Sequence, residues 1–535
     1  MMSIFQQQDH RTDDPVVVLH IREKQQKIGK TIILSGLILL KFALQYALIN
    51  PVYELHRDEF LYLDQGNHLA WGYLSVPPFT SWTSYIIRLL GNGVFWVKFF
   101  PALYGALTIY VVWKAIETLD GDIFALILGA FCIEFSVLLR LNTLYQPNSF
   151  DILAWTTLYF IVMKYVKTQQ VKWLLMGAVV FAIGFLNKYN IVFLLLGLFP
   201  AILLSEHRRI FIHPAFYLSM MIGLLLILPN LLWQFHHGFP VYRHLRELSD
   251  TQLVNVERVA FIRSQLIFNL GAIAVLVAAC YALLFYQPFQ SFRFFFWALI
   301  FTLSFYVYFR GKDYYALGIY PIYMAFGAVF LSRRLKHGWK RLFKPVVLMM
   351  PLLMFIALYQ VAFPNKRPEY IVQHTAVYKA LGMLRWEDGK DHLLPQDFAD
   401  MLGWKALAMK VDSIYAHIPH AENTWILCDN YGEAGAINYY SKNPNINALA
   451  FSADYIHWIK NDEKIINVIL VKEHAYDLDR TRNKEKLLFD TVYLAAQRIN
   501  KFAREDTVSI YVLENAKTDI HKLVQEELNK HADDW

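Results

Sequence analysis

Long apolar runs recur along the first two thirds of this 535-residue chain and constrain its fold more than any other feature. Each run is roughly 20 residues long, the length that an α-helix needs to cross the hydrocarbon core of a bilayer. Charged residues make up 18% of the chain, whereas soluble domains contain about 25%. The sequence therefore predicts a polytopic α-helical membrane protein. About eleven spans are expected near residues 29–50, 93–116, 122–140, 148–166, 173–187, 190–205, 213–235, 262–286, 292–309, 314–332 and 345–363.

Basic residues concentrated in three loops indicate how the spans are oriented. These loops hold Lys164, Lys167 and Lys172, then Arg208 and Arg209, and then Arg333, Arg334, Lys336, Lys340, Arg341 and Lys344. With eleven spans, all three loops fall on one side, and the positive-inside rule makes that side cytoplasmic. The N-terminal segment 1–28 falls there too, and the first polar loop, residues 51–92, falls on the extracytoplasmic side.

The composition changes after Phe363, where a proline-rich linker follows the last apolar run. Residues 29–363 are predicted to form the transmembrane domain, and residues 364–535 an extracytoplasmic α/β domain. The α/β domain is expected to contain an amphipathic helix over 396–417, strands over 425–428, 465–471 and 507–512, a strand-to-helix turn at 430–436 and a charged helix from Asp519.

Several function classes find no support in the sequence. The net charge of +7 is explained by the membrane loops, and no basic face with interleaved aromatics predicts nucleic-acid binding. The sequence contains no glycine-rich phosphate loop, no HExxH and no GxSxG motif. The three cysteines have no metal or redox spacing. No cofactor is therefore predicted, although a divalent cation is left open.

Two adjacent carboxylates in the first extracytoplasmic loop are the leading catalytic candidates. Asp58 and Glu59 follow the first span, where acids are costly to hold near lipid. They could simply stabilise the N-terminus of a helix, a role that does not exclude function. The functional interpretation makes Asp58 a general base that accepts the proton of an attacking hydroxyl, with Glu59 in a supporting or substrate-binding role.

Cations on the same predicted face could hold an anionic group. Lys312 lies among Arg310, Tyr314 and Tyr315, and Lys188 lies between two predicted spans. Snorkelling of the lysines toward the interface is the alternative explanation. A phosphate needs cations and directed donors, which this group supplies.

Three further residues are predicted to contact the substrate. Asp151 opens the fourth span, where an acid could equally cap the helix. His237 follows His236, and this pair could bind an acceptor or a metal, but no third metal ligand stands at a suitable spacing. Arg57 precedes the carboxylate pair and completes the set.

The order of these motifs resembles the bacterial branch of glycosyltransferase family 39. These are membrane enzymes of the GT-C type, related to protein O-mannosyltransferases and to enzymes that add aminoarabinose to lipid A. The resemblance rests on Arg57-Asp58-Glu59-Phe60-Leu61-Tyr62, Gly72-Tyr73, Pro77-Pro78, Ser149-Phe150-Asp151, Leu186-Asn187-Lys188-Tyr189, the segments 228–234 and 237–238, Gly311-Lys312-Asp313-Tyr314-Tyr315, Tyr320-Pro321 and the segment 430–436. The chain departs from many relatives at Gln146-Pro147-Asn148, where they carry acid-rich or threonine-rich residues.

The resemblance implies a sugar donor carried on polyprenyl phosphate, and transfer with inversion to a glycan, lipid or protein acceptor. It also implies a location in the bacterial inner membrane. In the family's terms Asp58 is the acid of the first outer loop, Asp151 is the acid that begins the fourth span, and Lys188 and Lys312 are recurrent cations.

Two alternatives remain open from the sequence. A polytopic transporter or lipid flippase would explain the spans, although such proteins favour ionisable residues in mid-span and repeated broken helices. A membrane assembly or sensor protein would instead carry its function in the domain 364–535, which shows no catalytic cluster in its sequence.

Overall fold

The structure is a computed structural model that describes residues 15–459 and 464–534. Each of the eleven predicted apolar segments contains a helix or a helix pair. The helices of this part are α1 (Pro15–Ala47), α2 (Arg57–Gln65), α3 (Phe79–Leu89), α4 (Val94–Thr118), α5 (Ile123–Glu134), α6 (Val137–Leu141), α7 (Pro147–Thr168), α8 (Lys172–Asn187), α9 (Ile191–Leu203), α10 (Pro214–His236), α11 (Pro240–Thr251), α12 (Arg258–Phe268), α13 (Ile273–Phe285), α14 (Phe294–Tyr308), α15 (Tyr320–Arg334) and α16 (Phe343–Ala362).

The first helix is longer than the apolar run that predicted it. Helix α1 begins at Pro15, well before the first predicted span at residue 29. An apolar helix can extend beyond the bilayer because its backbone hydrogen bonds are satisfied within the helix. The first 14 residues of the predicted cytoplasmic segment lie outside the described residues.

Within residues 15–459 and 464–534, five helices are long and apolar enough to cross a membrane unaided. Two bent helix pairs raise this number to seven if each pair is one span: Ile191–Leu203 with Glu206–Ile212, bent by 113°, and Arg258–Phe268 with Leu270–Phe285, bent by 62°. Three other apolar helices are shorter than the roughly 20 residues that a span requires. The protein is a multi-pass membrane protein.

The first polar loop is partly helical, and the N-terminus of its first helix is capped by His56 and Glu59. His56 Nδ1 accepts a hydrogen bond from the Asp58 backbone N–H at 3.1 Å, and Glu59 Oε2 accepts one from the His56 backbone N–H at 2.8 Å. This reciprocal arrangement satisfies two backbone donors that a helix N-terminus leaves without partners. The local sequence thereby fixes where α2 begins and where Asp58 lies.

The C-terminal part contains the predicted small α/β fold. It comprises α17 (Pro368–Gln373), α18 (Thr375–Ala380), α19 (Gln396–Ala399), α20 (Trp404–Tyr415), β1 (Thr424–Cys428), α21 (Tyr431–Tyr440), β2 (Ala448–Ala450), β3 (Asn467–Glu473), α22 (Asn483–Leu488), β4 (Phe489–Ile499), β5 (Thr507–Ala516) and α23 (Ile520–Asp534). The strands form one mixed sheet in the order β2-β1-β3-β5-β4. Strand β1 pairs in parallel with β2 and β3, whereas β5 is antiparallel to β3 and β4.

Two details of this part depart from the sequence prediction. The single helix expected over 396–417 is broken into α19 and α20, because Gly403 adopts a left-handed conformation with φ of +89°. Strands β2 and β4 were not predicted: β2 is only three residues long, and β4 is an edge strand with much of its surface exposed, so neither carries a strong apolar signal.

The α/β part packs directly onto the first polar loop. Phe60 of α2 is buried against Trp404, with ring centroids 5.9 Å apart, and Ala434 of α21 joins the same buried cluster. Glu54 Oε2 accepts hydrogen bonds from the Trp404 and Lys405 backbone N–H groups at the start of α20. Helix α2 therefore lies between the membrane helices and the α/β domain, which places Asp58 at their junction.

Candidate functional site

Asp58 combines fixed geometry with access to solvent. Its side chain is 31% exposed. The Tyr431 hydroxyl donates to Oδ1 at 2.8 Å, and the Gln146 side-chain amide donates to Oδ2 at 3.2 Å. Each carboxylate oxygen has further lone pairs, so the group can still accept a proton or a hydrogen bond from a ligand. The geometry suits a general base held in one orientation.

Glu59 lies in a different environment although it is the next residue. Its side chain has no exposed surface, and Lys98 Nζ lies 2.6 and 2.9 Å from its two oxygens. Besides the His56 N–H, the Tyr145 N–H donates to Oε1 at 2.6 Å. These contacts tie α2 to α4 and to the segment that precedes α7. The geometry gives Glu59 a positioning role, because protein groups already surround it.

A network of charged groups beside Asp58 shifts the pKa values of two neighbouring side chains. Burial lowers the pKa of His56, but Asp58 and Asp400 outweigh that effect and raise the pKa to about 9. His56 Nε2 lies 3.4 Å from Asp400 Oδ2. In turn, His56 and Arg504 hold the pKa of the buried Asp400 carboxyl at about 2, against the effect of its burial. The two carboxylates thus favour the charged form of His56, whereas the cap at Asp58 needs a neutral imidazole whose Nδ1 accepts the backbone N–H.

Arg57 is directed toward the α/β domain. Its guanidinium lies over the Tyr431 ring, 4.6 Å from the centroid, and its Nη2 lies 3.4 Å from Asn430 Oδ1. The side chain is buried. This cation–π contact orients the same tyrosine that bonds Asp58. Arg57, predicted as a substrate contact, thus has protein partners in this structure.

The two predicted phosphate-binding lysines lie in one polar group with Asp58. Lys188 Nζ donates to Asn148 Oδ1 at 2.6 Å and lies 4.1 Å from the Tyr315 ring centroid. Lys312 Nζ donates to Gln252 Oε1 at 2.7 Å and forms an ion pair with Glu387. Although burial lowers the pKa of Lys312, Tyr315, Glu387 and Asp58 together raise it. The lysine is therefore charged and interacts electrostatically with the candidate base.

A chain of hydrogen bonds through two intervening side chains connects Asp58 to Lys188. Asn148 donates to Gln146 Oε1 at 3.0 Å, and Gln146 donates to Asp58. Lys188 donates to the other end of Asn148. The relay is built from Gln146 and Asn148, the same residues at which the sequence departs from the family pattern. The departure therefore lies inside the site.

The remaining predicted residues lie outside this polar group or are enclosed in protein. Asp151 is buried, with the Trp155 indole N–H at 3.0 Å from Oδ1 and the Asn190 amide at 2.7 Å from Oδ2. Tyr314 packs edge-to-face on Tyr315 beside Lys188. Arg310 donates to the Val254 carbonyl at 3.1 Å.

His237 belongs to a second group of side chains. It stacks on Trp233 at 4.1 Å between centroids and faces His457 at 6.2 Å. Its Nδ1 lies 2.8 Å from the Trp233 carbonyl oxygen. In the described parts of the chain, no group of three or more His, Cys, Asp or Glu side chains is arranged to hold a metal ion.

Two functional candidates escaped the sequence prediction. Tyr431 was seen only as part of a strand-to-helix turn, although it follows the N-capping Asn430 and reaches Asp58. Glu387, the partner of Lys312, lies in a loop without periodicity, so no sequence pattern could identify it. The capping asparagine was the one available signal, because it fixes the direction in which the first residue of α21 points.

Comparisons with known proteins agree with this architecture. Residues 75–233 match the model of the dolichyl-phosphate-mannose-protein mannosyltransferase family. This segment includes Asp151 and Lys188, whereas Asp58 precedes it and Lys312 follows it. No curated protein matches the chain.

Solved structures match over nearly the whole length. ArnT from Cupriavidus metallidurans bound to undecaprenyl phosphate is 12% identical with a TM-score of 0.62, and the match covers 90% of this chain and 98% of ArnT. The apo form of the same ArnT is 12% identical with a TM-score of 0.59, covering 91% of this chain and 98% of ArnT. An oligosaccharyltransferase from Archaeoglobus fulgidus is 11% identical, with a TM-score of 0.47 and coverages of 83% and 69%. The chain has the ArnT fold, and its predicted resemblance to GT-C glycosyltransferases of family 39 is confirmed.

Proposed function

We propose that the protein is a membrane glycosyltransferase that moves a sugar from a polyprenyl-phosphate donor to an acceptor hydroxyl. One observation carries this proposal: Asp58, a partly exposed carboxylate held on both oxygens, shares a polar group with Lys188 and Lys312. The fold supports it, since the matching ArnT structure contains undecaprenyl phosphate. The acceptor is a glycan, a lipid or a protein, and the transferred sugar is a hexose or a pentose.

The proposed reaction is a single displacement with inversion. The acceptor hydroxyl gives its proton to Asp58 while its oxygen bonds to the anomeric carbon. The bond from that carbon to the phosphate oxygen breaks, and the lipid phosphate leaves with the electron pair. Lys188 and Lys312 offset the negative charge that grows on the leaving phosphate, which stabilises the transition state electrostatically. Asp58 is the general base, and Glu59 positions it through α2.

The lysines reach the phosphate by exchanging partners. Lys312 is paired with Glu387, and the singly charged phosphodiester of the incoming donor takes the place of that carboxylate. Tyr314 and Tyr315 form the wall against which Lys188 rests. Arg310, two residues before Lys312, adds a further positive charge to this loop. The lipid tail lies in a groove between spans.

The charge distribution of the loops supports an extracytoplasmic site. Basic loops are retained in the cytoplasm, and the first loop with Asp58 lies on the opposite side when eleven spans are counted. The N-terminus is then cytoplasmic, the α/β domain is extracytoplasmic, and the protein resides in the bacterial inner membrane. On that face a lipid-linked donor replaces a nucleotide sugar.

The decisive experiment compares the release of free polyprenyl phosphate by the parent protein and by the Asp58→Asn variant. The purified protein is incubated with a panel of polyprenyl-phosphate sugars and with membranes of the encoding bacterium as acceptor. We expect turnover to fall at least 100-fold, the lower range for loss of a general base. Asp490→Asn is the matched control, because Asp490 is an exposed acid of β4. Turnover within a few fold of the parent would show that Asp58 is not the base.

A second arm tests the donor site and the transporter alternative. Lys312→Ala should weaken donor binding while the protein remains folded, because its charge no longer balances the phosphate. Unchanged donor affinity would remove Lys312 from the phosphate site. A transporter or flippase moves the lipid intact, so the absence of any free lipid phosphate from the parent protein would favour that function.

A further inference from the structure

A cavity lies at the far end of α2, between the first polar loop and the α/β domain. Its volume is about 630 Å³, within the usual range for a small-molecule site. One wall follows α2 and contains Asn67 and His68; the other comes from His457 and Trp458. The floor is formed by Trp233, near the C-terminal end of α10, and by His237, which follows that helix.

The two walls are held together by one buried carboxylate. Asp454 Oδ2 accepts from the Gln65 side-chain amide, and Oδ1 accepts from the Leu74 backbone N–H, both at 2.8 Å. These bonds engage both oxygens, so Asp454 serves the architecture of the cavity. The two hydrogen bonds of Asp454 thus fix the separation of the cavity walls.

A close approach of the backbone shapes the floor. A Cβ atom added at Gly72 would lie 2.3 Å from the Trp233 ring, closer than any real contact. Only glycine therefore lets the loop rest on this indole. The position of Trp233 in the cavity depends on that absence of a side chain.

The lining chemistry narrows the class of ligand. Two indoles and three imidazoles surround the space, and they are arranged in stacked pairs: His68 on Trp458 at 4.2 Å and His237 on Trp233 at 4.1 Å. Among the described lining residues none is lysine or arginine, in contrast to the polar group of Lys188 and Lys312. This lining therefore disfavours an anionic ligand. The ring nitrogens of the indoles and imidazoles also disfavour an acyl chain.

Neutral imidazoles complement hydroxyl groups. Partial burial and the nearby His237 lower the pKa of His457, which keeps it neutral at neutral pH. A neutral imidazole carries one donor and one acceptor, as a sugar hydroxyl does. Flat indole and phenol rings cover the apolar faces of a ligand while their N–H and O–H groups bond its polar edge.

The distance from Asp58 fits a ligand longer than one sugar. Helix α2 has nine residues and a rise of 1.5 Å per residue, so its two ends are about 13 Å apart. Asp58 lies at one end, and Asn67 and His68 follow the other. A group bound in the cavity is remote from the reacting atoms, where binding energy can position an extended substrate.

From these observations we infer that the cavity binds a neutral carbohydrate, the distal part of a glycan acceptor whose reacting hydroxyl lies at Asp58. This rests on the proposed function, because only a glycosyltransferase places an acceptor there. The inference names the acceptor class: a glycan with several neutral sugar units.

The test is direct binding of the full-length protein, in nanodiscs, to an array of neutral, sialylated and sulfated glycans. We expect retention of neutral glycans, and Trp458→Ala should weaken it at least tenfold. Trp71→Ala is the matched control, because Trp71 is an exposed indole next to the lining residue Gly72 and does not itself line the cavity. Gly72→Ala, which displaces Trp233, gives a second variant should Trp458→Ala fail to fold.

Three results would overturn the inference: no glycan retained, retention of acidic glycans alone, or equal loss in the Trp71 and Trp458 variants. Failure of the proposed function is read separately. Array binding reports the cavity, whereas release of lipid phosphate by the Asp58 variant reports the chemistry.

Discussion

Replacing Lys98 with methionine should destabilise the protein by leaving Glu59 as a buried carboxylate without its counter-ion. Glu59 has no exposed surface, and Lys98 is the only cation within hydrogen-bond distance that the structure records for it. Removing one partner of a buried pair typically costs about 3–5 kcal/mol. Two backbone N–H donors, from His56 and Tyr145, remain and place the expected cost at the lower end of that range.

A double-mutant cycle separates this charge effect from lost packing. Thermal unfolding midpoints are compared for Lys98→Met, Glu59→Gln and the double variant in the same detergent. The double variant buries no uncompensated charge, so it should unfold above Lys98→Met, and the two single effects should not add. Coupling between contacting charged residues reaches about 0.5–3 kcal/mol. Strict additivity would refute the conclusion that the two charges stabilise each other.

Three further predictions follow from other contacts. Tyr431→Phe should lower turnover about 10- to 100-fold, because it removes one hydrogen bond to a charged acceptor, and it should change the unfolding midpoint little. Tyr476→Phe, at an exposed tyrosine, is the control, and equal rates for the two variants would contradict the role of Tyr431. The pKa of His56 is raised to about 9, so its contribution to stability is complete below the ordinary value of 6.5 and is lost as the pH rises through 9. The unfolding midpoint should therefore fall between pH 6.5 and 9.5, and it should fall less in His56→Asn; parallel curves for the two proteins would contradict the role of His56. Gly197→Ala should destabilise the contact of α9 with α14, because the added Cβ would overlap Thr302 Oγ1. Gly223→Ala is the control, since its Cβ makes only ordinary contacts, and similar unfolding midpoints for the two variants would show that the helices can separate without cost.

The membrane class and most helix positions followed from sequence alone. Apolar runs of spanning length have few alternatives, because a backbone in lipid must bond internally. A helix that begins at Asp58 and Glu59 was also anticipated, because acids stabilise the first turn of a helix. The structure adds the cap formed by His56 and Glu59. The broken helix at Gly403 did not follow, because a glycine inside an amphipathic pattern does not by itself announce a left-handed turn.

The functional group divides in the same way. Asp58, Lys188 and Lys312 were identified as candidates because charged residues beside apolar runs are costly and therefore conspicuous. The different roles of Asp58 and Glu59 could not be read from two adjacent acids. Burial decides between them, and burial depends on Lys98, which lies 39 residues away along the chain.

The sequence by itself determined that this protein crosses a membrane many times, carries a small α/β domain and gathers its unusual charges in a few polar loops. Those properties depend on local composition and short spacings. Only the tertiary structure decided that Tyr431, 373 residues from Asp58, bonds that carboxylate, and that Gln146 and Asn148 link it to Lys188. Such contacts arise where α2 packs against α21 and where α7 packs against α8, and no local pattern encodes that packing.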